Sequence, residues 1–123
     1  MVPRIRLVLY AEEGASPVLE WFRGLPERVY AKGLDRVERL AELVHELRRP
    51  EADYLGEGIY ELRWRVQSVN YRLLYFFHGR EAVVLSHGLT KEDRIPPREM
   101  NLAIRRKAAF QKNPEAHTRE EAL

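Results

Sequence analysis

The stretch Gly58–Gly79, GIYELRWRVQSVNYRLLYFFHG, decides the fold. Tyr60, Leu62, Trp64 and Val66 alternate with Glu61, Arg63 and Arg65. A period of two puts the apolar set on one face of a strand and the charged set on the other. A short link follows, and then Tyr71-Arg72-Leu73-Leu74-Tyr75-Phe76-Phe77 reads as a second strand with one arginine inside an apolar run. Two such runs joined by Gln67-Ser68-Val69-Asn70 make an antiparallel hairpin. A third strand, Ala82–Leu89, follows the link His78-Gly79-Arg80-Glu81.

Outward from this hairpin the pattern changes period. Upstream, Arg4–Tyr10 alternates as a strand. Ser16-Pro17 is a helix start, with serine to cap and proline in the first turn. Val18, Leu19 and Phe22 give that helix an apolar face. Gly24 and Pro26 interrupt it, and Pro26 opens a second helix. There Tyr30, Leu34, Val37, Leu40, Ala41, Val44 and Leu47 recur at helical spacing, with Pro50 past the end. Downstream, Pro96-Pro97 opens a last helix from Arg98 to about Gln111. The order β-α-α-β-β-β-α is an α+β domain spanning 1–112, with helices expected on one face of a small antiparallel sheet. The segment 113–123, NPEAHTREEAL, has little to bury and is expected to be mobile.

If helices cover one face, Glu61, Arg63 and Arg65 line the open one, and Arg72 joins them, although Leu74 and Phe76 share its parity. The charge is uneven along the chain. Residues 60–112 carry 11 Lys+Arg against 5 Asp+Glu, within a chain whose net charge is +2. A basic half on a near-neutral domain suits a polyanionic partner. The alternative is an ordinary solvated surface with local ion pairs.

Several functional classes lack their signatures. With no cysteine there is no thiol nucleophile and no disulfide framework. No Gly-rich phosphate loop or His-Glu-x-x-His helix occurs, and His45, His78, His87 and His117 show no metal-ligand spacing. No metal and no cofactor is expected. The start MVPRIRLVLY does not read as a signal peptide and no apolar run approaches membrane-spanning length, so an intracellular, cytoplasmic protein is expected.

What remains is a group of cations around the strands. Arg63, Arg65 and Arg72 fall on adjacent strands, His87 near the end of the third, and Lys91, Arg94 and Arg98 before or within the last helix. Arginine grips phosphate with a planar fork and keeps its charge. Several on one face can hold a phosphodiester and stabilise the charge that develops when it is attacked. His87 titrates near neutrality when unperturbed and can move a proton. The structural alternatives are an Arg63 ion pair with Glu61 or Glu57, a paired Arg72, and a capped structural His87 before Gly88.

The runs GIYELRW, YRLLYFF and VLSHGLTKEDRIPPREMNLAIRR, with SPVLEWFRGLPERV before them, resemble the RelE/HigB toxin superfamily. The resemblance is nearest to its phage-derived, HigB-like branch in type II toxin–antitoxin systems and covers about Ile5 to Phe110. It implies a toxin that cuts mRNA on the ribosome by metal-independent attack of a ribose 2′-hydroxyl, silenced by a helix-turn-helix antitoxin. By the family's motifs Arg63, Arg72, Lys91 and Arg94 would be catalytic, with His87 as proton donor or acceptor. Arg65, Arg98, Arg105 and Arg106 would anchor flanking phosphates. The chain departs from the pattern at Glu61, where the RelE branch is basic, and at Glu92-Asp93. The superfamily also holds ParE-like inhibitors of DNA gyrase, and a non-catalytic RNA-binding domain is a third reading.

Overall fold

The central hairpin is where the alternation of Tyr60–Val66 places it. In the computed structural model, which describes residues 5–90 and 93–123, β3 is Ile59–Val66 and β4 is Val69–His78. They pair antiparallel with Arg63 opposite Arg72 and Val66 opposite Val69. The two-residue turn is Gln67-Ser68, with Gln67 at a φ of 56°. On the other side of β4 lies β5, Ala82–Thr90, also antiparallel. A bulge falls where Leu74 faces His87 and Tyr75 faces Leu85, so Ser86 has no opposite number.

The chain reaches this meander through β1, Arg6–Tyr10, and two helices, α1 at Pro17–Arg23 and α2 at Glu27–Leu43. Ser16 caps α1 through its Oγ, which accepts from Leu19 N and donates to Tyr10 O at 2.9 Å. α2 stops at Leu43, short of the expected reach to Leu47. Val44, at a φ of 53°, starts a 3-10 turn, Val44–Glu46. Leu47 is still buried. A further strand, β2 at Ala52–Gly56, pairs with the start of β3. α3 is Pro97–Lys112. With a last short strand, β6 at Thr118–Arg119, the sheet order is β2-β3-β4-β5-β1-β6, antiparallel except for β1 beside β5. The class is α+β, with the expected element order enlarged by β2 and β6.

Two expectations are corrected here. The helices do not share one face. Leu62, Trp64, Leu73, Tyr75, Val83 and Leu85 pack with Val18, Leu19, Phe22, Val37 and Leu40 of α1 and α2. The opposite set, Val8, Tyr10, Leu74, Phe76 and Val84, packs with Ala103 and Phe110 of α3. This explains why Leu74 and Phe76 share a parity with Arg72: that face is covered over much of its length. Each fully buried Leu, Val or Phe contributes roughly 1.5–3 kcal/mol, so neither layer is dispensable.

Nor does the segment 113–123 hang free. It forms a 3-10 turn, Pro114–His117, and a short β6, Thr118–Arg119, paired with Leu9 and Tyr10 of β1. His117 stacks on Tyr10 at 5.0 Å, Arg23 meets Glu121, and Tyr30 donates its hydroxyl to Leu123 O. The charged sequence hid this because the attachment uses backbone pairing, one stacked ring, a single leucine and ion pairs to residues far away in the chain. No helix of the described residues is long and apolar enough to cross a membrane.

Candidate nucleic-acid interface

β3 is covered at its edge only as far as Leu62, where β2 begins to pair. Beyond that its outer backbone groups need other partners. Arg63 N donates to Glu51 O at 2.8 Å. α2 supplies the rest: Arg36 Nε donates to Arg63 O at 3.2 Å and Lys32 Nζ to Arg65 O at 2.8 Å. Lys32 and Arg36 are one helical turn apart, so both reach the same strand edge.

The result is a cleft of about 390 Å³ around the open edge of β3. Lys32, Arg36, Arg63, Arg65 and Arg72 line it, with Asn70 and Tyr71, and no acid among the described residues does. The acids nearest these cations are Asp35, 3.2 Å from Arg36, and Glu61. Lys32 and Arg65 have no acidic partner among the described residues. Five cations against two acids leave a site that favours a polyanion.

Glu61 organises the sheet side of the cleft. Its carboxylate is 3% exposed and lies 3.3 Å from Arg72 Nη1 and 3.6 Å from Arg63 Nε. Burial raises its pKa above the ordinary carboxyl value, against the pull of Arg72 and Arg63. Arg72 is therefore half of a buried pair, with its side chain 11% exposed, rather than a free charge on an open face. Arg63 carries the Glu61 contact and still reaches solvent at 38%. Arg65 is exposed.

The other sequence-predicted residues divide by position. Arg94 is exposed in a shallow groove with Ser68, Val69, Thr90 and Asn70, and Asn70 also lines the cleft. Lys91 lies outside the described residues. Arg98 and Arg105 are exposed on α3, and Arg105 sits beside Tyr10 of β1. β1 is three strands from β3, about 14 Å at ordinary strand spacing.

Arg106 is not a surface anchor. It is 8% exposed, donates from Nη1 to Ser86 O at 2.6 Å and lies 5.0 Å over the Tyr10 ring. It ties α3 to the β5 bulge. His87 is also 8% exposed, with Nδ1 2.8 Å from Ser86 Oγ and Nε2 buried without a partner. Burial and then Arg106 push its pKa down to about 4, so the ring is neutral at pH 7. It does not line the cleft.

Lys32 and Arg36 went unread in the sequence because α2 was judged by its apolar stripe. Their i,i+4 spacing was the available signal. Among the described residues no group of three or more His, Asp or Glu side chains is arranged to hold a metal ion.

The family model for phage derived protein Gp49-like (DUF891) matches residues 20–108, from α1 through most of α3. The chain belongs to this family. Gp49-like proteins are associated with RelE-like toxins of toxin–antitoxin systems. No curated protein matches the chain in sequence at a significant level.

Proposed function

We propose that this Gp49-like protein is the toxin of a type II toxin–antitoxin system and cuts mRNA on the ribosome, held in check by a helix-turn-helix antitoxin. The observation that carries the reading is the cleft wall, where five cations meet at the open edge of β3 and no acid among the described residues joins them. The ribose 2′-oxygen attacks the adjacent phosphorus and loses its proton. The bond to the 5′-oxygen breaks, and that oxygen takes up a proton. A 2′,3′-cyclic phosphate and a 5′-hydroxyl result. Arg63, Arg65 and Lys32 meet the non-bridging oxygens, where negative charge grows during attack. Arg72, fixed by Glu61, adds positive potential from behind. Arg94 steers the strand past Asn70. Guanidinium groups stay protonated, so their part is electrostatic. His87, buried and neutral, is left out of this reading.

Induced expression tests it. Growth should arrest, and a translated reporter mRNA should be cut, leaving 5′-hydroxyl ends. Replacing Arg63 and Arg65 together by alanine should slow cutting on the order of 100-fold or more, as when donors to a developing oxyanion are lost. Intact mRNA together with blocked supercoiling by purified gyrase would overturn the reading.

A further inference from the structure

Next to the cationic cleft, on the other side of residues 48–51, lies a pocket of about 590 Å³ lined by Leu47, Arg48, Arg49, Tyr54, Tyr60 and His45 among others. Pro50 lines the cleft and Arg49 the pocket, so the two adjoin along one short piece of chain. We propose that this pocket takes an unpaired nucleobase of the RNA strand whose phosphates lie in the cleft. The inference rests on the reading of that cleft as an RNA site.

Tyr54 is the main reason. Its residue surface is 55% exposed, yet its ring is not free to swing. Its hydroxyl accepts from Gly58 N at 3.0 Å, and its ring packs on Tyr60 at 4.8 Å. Tyr60 stacks in turn on Tyr75 at 5.4 Å and an interplanar angle of 17°. An aromatic face is thus held rigidly in solvent, the preorganised platform that a base needs in order to stack at low entropic cost. The side walls are mainly apolar, with Leu47 and Ala52 buried.

The rim selects the charge of the occupant. Arg48 is exposed and has no acidic partner among the described residues. The one acid lining the pocket among the described residues, Asp53, is bonded by Arg49 Nη2 at 2.7 Å, which holds its pKa below the ordinary value. Its other oxygen accepts from Tyr54 N. The acid is neutralised in place, and Arg48 remains for a backbone phosphate. Tyr60 and Arg63 are three residues apart on β3, about 10 Å, and face opposite sides of the sheet, so an RNA strand that crosses the edge of β3 at Arg49-Pro50 can set phosphates on the arginines and a base on the tyrosines. Stacking accepts any base, so the pocket would add affinity without fixing sequence by itself.

The test uses a short single-stranded RNA, 2′-O-methylated so that it is not cut, and the same strand with abasic positions. Binding is read by fluorescence anisotropy. The protein should hold the base-bearing strand about 5- to 100-fold tighter than the abasic one. Tyr54→Ala and Tyr54→Leu should both erase that difference, and Tyr54→Phe, which keeps the ring on Tyr60 but loses the Gly58 bond, should keep most of it. Replacing Lys32 and Arg65 should weaken both strands alike. Tyr54→Leu that melts like the wild type and binds the base-bearing strand equally well would overturn the pocket and leave the cleft standing. If the unsubstituted protein binds neither strand, the RNA reading of the cleft fails as well.

Discussion

Glu61 and Arg72 form a buried ion pair across the β3–β4 ladder, with Oε2 and Nη1 3.3 Å apart and the carboxylate 3% exposed. They are not direct partners in the ladder: Arg72 faces Arg63, and Glu61 faces Leu74. The pair is diagonal, which leaves Glu61 able to touch both arginines of the facing pair. Removing one member strands the other in a dry setting. Arg72→Ala should therefore destabilise the fold by roughly 3–5 kcal/mol. Replacing both, as Glu61→Leu with Arg72→Met, should recover most of the loss, since an apolar pair of similar volume needs no counter-charge. Urea unfolding of the two single variants and the double variant measures this as a thermodynamic cycle. An Arg72→Ala protein as stable as the parent would show that the pair holds nothing.

Two buried groups give stability opposite dependences on pH. The His87 pKa is depressed to about 4 in the folded chain, while an unfolded histidine titrates near 6.5. The unfolded state takes the proton first. The contribution of His87 is thus present in full above about 6.5 and is lost as pH falls toward 4. A shift of this size corresponds to about 3 kcal/mol. Glu61 runs the other way. Its raised pKa means that the folded carboxyl holds its proton more firmly, so stability falls as pH climbs out of the ordinary carboxyl range. His87→Gln should flatten the acid limb of a stability-against-pH curve, and Glu61→Gln should flatten the fall above the carboxyl range.

Packing over β5 leaves no room at Gly88. A Cβ there would lie 2.3 Å from two ring carbons of Trp21. That ring cannot retreat easily, because it sits edge-on to Phe22 at 6.1 Å and to Trp64 at 6.2 Å. Gly88→Ala should cost about 3 kcal/mol, the upper end for an overfilled core. Trp21→Leu in the same chain should relieve part of that cost. The denaturant midpoint should move with an unchanged slope, as expected when native packing alone is affected.

The hairpin, the two-helix start and the last helix were legible because each repeats a clear period over many residues. Trp64 is buried and Arg65 exposed, as the alternation requires. The second helical layer was not legible. Leu74 and Phe76 announced a covered face by sharing Arg72's parity, but nothing local says that α3 returns to cover it. β2 is short, and β6 has two residues among charges. β2 folds back on the start of β3, next to it in the chain, whereas β6 pairs with β1 from the far end. Arg106 looked like its neighbour Arg105 in sequence. Only the helical phase separates them, which turns one toward the β5 bulge and the other to solvent. The cleft itself was half legible: the strand arginines were visible, and the α2 cations that complete it were not.

Those α2 cations give the last prediction. Lys32 and Arg65 line the cleft without acidic partners among the described residues, so each is available to replace a counterion on a phosphate. Their neutral forms should change binding more than folding. Lys32 Nζ bonds Arg65 O at an exposed edge, and water can take over that carbonyl. Unfolding of Lys32→Gln and Arg65→Gln should stay within about 0.5 kcal/mol of the parent, the usual range for surface changes. Binding of single-stranded RNA should respond quite differently. Each neutralised phosphate contributes about 0.7 to the slope of log affinity against log salt. The double variant should therefore bind more weakly at low salt and lose about 1.4 from that slope. Arg98→Gln with Arg105→Gln removes the same charge from α3 and should leave the slope nearly unchanged. Equal losses from both pairs would mean that RNA responds only to total charge, and that the open edge of β3 has no special claim on it.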